Sequence, residues 1–214
     1  MEHLEHEEEQ LERFREWWKQ YGKSVIAGLV MAIVAAVGVQ SWRVNQRQHQ
    51  EAASVEYSQM LALVDSDAAQ AMGIADRITT DFDDTVYASL AAMLHARLAA
   101  DKGDWATAAS QLQWVLDHGD EEGLVHIARL RLARVLLQQG QADKALALLK
   151  DVDAPAFRSE YEEIKGDAYL ALGKKDEARA AYGKAMASAS VERDTRLLQM
   201  KLDDLAVANG EAQK

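Results

Sequence analysis

His3 and His6 stand beside Glu7, Glu8 and Glu9, and imidazoles next to carboxylates are the donor types from which zinc-like sites are assembled. The same residues also compose an acidic, solvated tail, which is the reading taken here, because the spacing alone fixes no coordination geometry. His49, His95, His118 and His126 complete the set of six histidines, and His95 falls in a helix interior, where a packed imidazole is the commoner outcome. Asp65-Ser66-Asp67 begins like a calcium loop, but Ala69 and Gln70 occupy positions that need oxygen ligands and a glycine. No glycine-rich turn follows a strand pattern, and no nucleophile elbow or paired-carboxylate motif emerges. The chain has no cysteine, which removes thiol catalysis, disulfides and Cys-ligated metals. The expectation is a non-enzymatic protein without metal or cofactor.

Side chains that bind rather than react must therefore be sought on a surface, and three glycines show how that surface is built. Aligning the chain on Gly103, Gly140 and Gly173, spaced 37 and 33 residues apart, brings their surroundings into register. Seven positions before each glycine stands a small residue, Ala96, Ala133 and Gly166, and five positions after it stands Ala108, Ala145 or Ala178. Nine after comes a large residue, Leu112, Leu149 or Tyr182. Small residues at fixed positions let two antiparallel helices approach closely, and a glycine that ends the first helix reaches the left-handed C-cap at least cost. The pattern resembles the tetratricopeptide repeat. Three helical hairpins are predicted over 87–118, 124–154 and 158–188, with Pro155 breaking the connection after the second.

By the geometry of such repeats, the inward positions of the first helices are Leu90, Met93 and Arg97, then Ile127, Leu130 and Arg134, then Glu160, Glu163 and Asp167. The groove should run from apolar and basic to acidic. Arg97 and Arg134 share one repeat position, and two readings stand: guanidinium groups along a common groove, or structural ion pairs with nearby carboxylates. The asparagine and lysine set with which tetratricopeptide domains hold a terminal carboxylate is missing.

The repeats are preceded by 19 uncharged residues, Ser24 to Trp42, in a chain of net charge −11. As a helix they reach about 28 Å, close to the hydrocarbon thickness of a bilayer. Trp17, Trp18 and Tyr21 precede the run and Trp42 closes it, as amphipathic rings at headgroup level do. A cleavable signal is disfavoured because residues 1–23 hold seven Glu against four basic residues. Arg13, Arg15, Lys19 and Lys23 on one side outnumber Arg43 and Arg47 on the other, which predicts a cytoplasmic N-terminus. Gly28, Ala32 and Ala36 recur every four residues and predict a stripe along which another transmembrane helix docks, although such residues also align by chance.

Seven of the 35 acidic and four of the 24 basic residues precede Arg43, which leaves −8 outside the span. That surface repels phosphate backbones, so nucleic acid is excluded as a partner. One proline and abundant Ala, Leu, Gln and Glu predict an all-α fold. The expected organisation is an acidic amphipathic segment at 1–23, a transmembrane helix at 24–42, linker and capping helices at 43–86, repeats at 87–188, and a capping helix and tail at 189–214. Residues 47–81 read either as a degenerate hairpin or as the continuation of the membrane helix followed by a cap. Val191–Ala208 reads as the terminal cap of the solenoid.

The order of these blocks carries a resemblance over almost the full length. EEEQLERFREWWKQYGKS runs into a single span, followed by ARLAADKGDWATAASQLQWVL, LRLARVLLQQGQADKALALL and KGDAYLALGKKDEARAAYGKAM. The chain resembles the YfgM-like ancillary subunits of the bacterial Sec translocon. The resemblance implies a single-pass inner-membrane protein with a periplasmic repeat domain, associated with the SecYEG channel and with PpiD, a membrane-anchored periplasmic chaperone of the peptidyl-prolyl isomerase-like class. It further implies handover of exported client proteins to periplasmic chaperones or, alternatively, regulation of an envelope-stress pathway through the same groove.

Overall fold

The computed structural model describes residues 2–190 and 194–211, with side chains described for 13–24, 26–190 and 194–205. His3, His6, Glu7, Glu8 and Glu9 lie outside the described side chains, as does Val207 of the expected cap, and residues 191–193 lie outside the described chain altogether. The fold is all-α, as its composition predicts, and no strand occurs among the described residues. Two units are distinguished, residues 1–51 and 52–214.

The first unit lies within α1 (Glu2–Leu63), a continuous helix of 62 residues. No proline interrupts it, and Arg43 to Leu63 is rich in helix formers without a glycine, so nothing stops the helix where the apolar run ends. It contains an 18-residue stretch of mean hydropathy 1.6 with none of it buried inside the chain, long and apolar enough to cross a membrane. Leu29, Met31, Val34 and Val37 all stand open on its surface. Just before them, the rings of Trp17 and Tyr21 lie 6.0 Å apart in an exposed aromatic cluster with Phe14 and Trp18.

In the second unit the last turns of α1 share a buried cluster with α2 (Ala68–Asp81) and α3 (Val86–Asp101), in which Met60, Ile74, Ile78 and Leu98 are enclosed. The end of α1 thus belongs to the domain and packs against further helices. Glu56 of α1 and Arg77 of α2 pair at 2.9 Å. Asp67, the residue that suggests a calcium loop, instead caps α2, its carboxylate accepting from the Gln70 amide at 3.0 Å.

Three helix pairs follow: α3 with α4 (Trp105–His118), α5 (Glu122–Gln138) with α6 (Ala142–Leu148), and α7 (Arg158–Ala171) with α8 (Lys175–Ala187). Gly103, Gly140 and Gly173 end α3, α5 and α7 with φ of 77°, 71° and 73°. Each builds the same pair of bonds. The Gly103 amide donates to Ala100 and the Asp104 amide to Ala99, both at 2.9 Å, and equivalent bonds run from Gly140, Gln141, Gly173 and Lys174. In the first pair Asp104 then starts α4 by accepting from the Thr107 amide, and that bond, with one from the Thr107 hydroxyl, holds its carboxyl below the usual carboxylate range.

Ala108, Ala133, Ala145 and Ala178 are buried where the paired helices meet, and Ala96 is 3% exposed. The second pair is shorter than the expected hairpin over 124–154. Its helix α6 stops at Leu148, and the chain turns through Asp151, at φ 55°, into a 3-10 turn at Pro155–Phe157. Proline supplies the fixed φ that this turn uses at its first position. Finally α9 (Arg196–Glu211) lays Leu198 and Leu205 onto Ala178, Tyr182 and Ala185 of α8.

Candidate binding surface

The inward row of α3, α5 and α7 begins apolar. Leu90 and Ile127 are half-buried and Met93 and Leu130 are buried, while Arg97 and Arg134 project outward from the same helices. Between α3, α4 and α5 a cavity of about 340 Å³ is lined by Met93, Ala96, Arg97, Ala100, Leu112, Arg131, Arg134 and Val135. One cavity therefore holds both arginines of the shared repeat position. Arg131 joins them, and the repeat alignment alone misses it. The signal that finds it is its spacing three residues before Arg134, which places both on one helix face.

The two readings of these arginines separate here. Arg97 lies 3.7 Å from Asp101 one turn away, with both side chains about two-thirds exposed, a geometry in which solvent leaves little net attraction. Arg131 and Arg134 have no carboxylate partner among the described residues.

The acidic end of the row is arranged differently. Glu163 is 8% exposed and Asp167 is half-buried, because α9 covers them. Lys201 of α9 donates to Glu163 at 2.9 Å and to Asp167 at 2.7 Å, and its ammonium lies 5.4 Å from the centre of the Tyr182 ring. The Tyr182 hydroxyl donates to Asp167 at 2.6 Å. Burial, then that bond to a carboxylate, pushes the Tyr182 pKa far above its ordinary value. The acidic end of the expected groove thus meets Lys201, whose contribution the sequence reading misses. Glu160, at the start of α7, is half-buried.

The histidines have structural surroundings. His126 shares a 2.9 Å hydrogen bond with the Tyr161 hydroxyl, which ties α5 to α7. His95 Nδ1 is buried 3.1 Å from Asp76 but off a hydrogen-bonding angle, and His118 stacks on Trp114 at 4.6 Å. No group of three metal-ligating side chains occurs among the described residues. In the first unit the stripe of Gly28, Ala32 and Ala36 is open, and a Cβ added at Gly28 would meet nothing within 4 Å.

Residues 15–207 match the tetratricopeptide repeat-like domain family. Proteins named ancillary SecYEG translocon subunit are similar over nearly the whole chain. That of Neisseria gonorrhoeae is 34% identical, covering 95% of this chain and 98% of its own length. That of Escherichia coli K12 is 28% identical over 97% and 100%, and that of Haemophilus influenzae 28% over 93% and 97%. A crystal structure of a tetratricopeptide repeat protein from Parabacteroides merdae superimposes with a TM-score of 0.50 at 17% identity, covering 76% of this chain and 60% of that one, a likeness of fold alone.

Proposed function

This chain belongs to the ancillary SecYEG translocon subunits built on a tetratricopeptide repeat-like domain, and from that premise we propose that it is a non-catalytic, membrane-anchored adaptor of the translocon. The observation that carries the reading is the 34% identity to such a subunit over nearly its full length. An open apolar helix followed by a solenoid suits the role, since one part anchors and the other offers surface without needing reactive groups. The finer form of the proposal places the repeats in the periplasm, where they hand exported clients to a PpiD-like chaperone. Support for that side of the membrane comes from the four basic residues before the span against two after it.

Protease added to spheroplasts is expected to digest the mass beyond Arg43 and spare an N-terminal tag. Protection of the repeats together with loss of the tag reverses the orientation. Association is tested by recovery of SecYEG with the tagged chain in mild detergent and by crosslinking in intact membranes. Replacing Gly28 and Ala32 by Leu keeps the helix apolar enough to insert but adds bulk along the stripe, so recovery is expected to fall severalfold. Undiminished recovery of the double variant would assign the association to the repeats alone, and no recovery of SecYEG with the wild-type chain would refute the adaptor reading.

A further inference from the structure

The solenoid shows twice how its inward row treats charge. Six positions before each repeat glycine stand Arg97, Arg134 and Asp167, and ten before stand Met93, Leu130 and Glu163. At the third repeat α9 packs on α8 and reaches these positions with one side chain. Leu198, Lys201, Leu202 and Leu205, spaced as one helix face, bring an apolar stripe and a cation, and the ammonium meets Glu163 and Asp167 within 3 Å. At the first two repeats the same row carries the opposite sign over a cavity of about 340 Å³. Its floor is Met93, Leu112 and Val135, its rim is Arg97, Arg131 and Arg134, and no described carboxylate answers the last two.

We infer that the cavity between α3, α4 and α5 receives an amphipathic helix of a partner protein, one that presents leucine-like side chains to the apolar floor with carboxylates among them to meet the three arginines of the rim. The inference rests on the adaptor reading and gives the chemistry of its partner. The charge argument is specific to this site. The residues beyond the span carry −8, with 28 acidic side chains available, so three guanidinium groups gathered over an apolar floor depart from the rest of the surface. Guanidinium forks match carboxylates in a bidentate way and keep their charge when partly desolvated. The volume is near the lower end of ligand pockets, about 300 to 1,000 Å³, which suits one or two inserted side chains better than a long acyl chain.

The test uses the full-length chain in detergent micelles and a fluorescein-labelled helical peptide with leucines at positions i, i+4 and i+7 and glutamates at i+3 and i+10. Anisotropy is expected to show saturable binding that weakens with salt and falls about tenfold for the double variant Arg131→Gln, Arg134→Gln. Lys144→Gln, on the exposed side of α6, is expected to leave it unchanged. Circular dichroism reports whether each variant remains folded. Arg97→Gln, exposed on one side of the cavity, provides a second variant whose effect should point the same way. Equal binding of a peptide with glutamine in place of glutamate, no binding by the wild-type chain, or tighter binding of palmitate than of the peptide would overturn the inference. SecYEG recovery from membranes, measured on the wild-type chain, separates the two claims: recovery of SecYEG by a wild-type chain that does not bind the peptide defeats only the pocket assignment, and failure to recover SecYEG defeats the adaptor reading.

Discussion

Gly166→Ala is expected to destabilise the repeat unit although it replaces the poorest ordinary helix former with the best. Ala96 and Ala133 occupy the same position in the first two repeats and share buried clusters with Leu112 and Leu149, which stand at the position of Tyr182, whereas Gly166 lies against the Tyr182 ring itself. A Cβ at residue 166 would overlap Cδ1 and Cε1 of that ring. The ring cannot swing aside, because Tyr182 is fully buried and its hydroxyl is bonded to Asp167 at 2.6 Å. Overpacking of this kind costs about 3 kcal/mol, and the helix propensity of alanine returns about 1 kcal/mol, so the net loss is about 2 kcal/mol. Thermal melts of the full-length chain in detergent should fall by about 4 to 8 °C. The decisive measurement is the double variant Gly166→Ala, Tyr182→Leu, which recreates the pair found in the other two repeats. Its loss should be about 2 kcal/mol smaller than the sum of the single losses. Additive losses would show that the ring and the glycine are not matched.

Lys201→Met should be as costly, for an electrostatic reason. The substitution keeps most of the apolar stem and removes the ammonium that joins Glu163 and Asp167 across α7 and α9. These side chains are only 10%, 30% and 23% exposed for Glu163, Asp167 and Lys201, so two carboxylates would face each other with little water to screen them. A loss of about 2 to 3 kcal/mol is expected, with α9 released first as judged by amide exchange. Adding Glu163→Gln to Lys201→Met should restore part of it by removing one of the two negative charges. Arg196→Met breaks the ion pair with Asp194 and is expected to leave the melt unchanged, because both side chains stand in solvent. Equal effects of Lys201→Met and Arg196→Met would mean that α9 is held by its leucines alone.

The fold was legible wherever a single residue type answers a single backbone demand. Positive φ at the end of a helix calls for glycine, and the alignment on Gly103, Gly140 and Gly173 finds the three turns that use it. The uncharged run is equally plain. What the letters concealed was where helices continue or stop without a specialised residue. The helix runs on through charged residues to Leu63 because they too are helix formers, which the letters left as one of two readings, and α6 ends at Leu148 while good helix formers continue to Lys150. The candidate surface is harder still, because it depends on contacts between elements distant in sequence. Spacing puts Arg97 and Arg134 at equivalent positions, and one cavity holds both. Arg131 falls outside the repeat register and escapes such an alignment. Glu163 and Asp167 read as open because the pattern within α7 contains no trace of a lysine 34 residues further on.

The stacking of each helix on its chain neighbours also sets an order of assembly during synthesis. From α2 to α8, most packing joins elements adjacent or nearly adjacent in the chain, so a hairpin can close soon after its own residues have emerged, and contacts so local make for fast folding. Growth then proceeds vectorially, each pair forming a template for the next, without long stretches of chain waiting for a distant partner. The last such link closes at α9. Until residue 201 has been made, α7 and α8 can pair but Lys201 has not yet joined Glu163 and Asp167, and the docking of α9 adds that link to the stack.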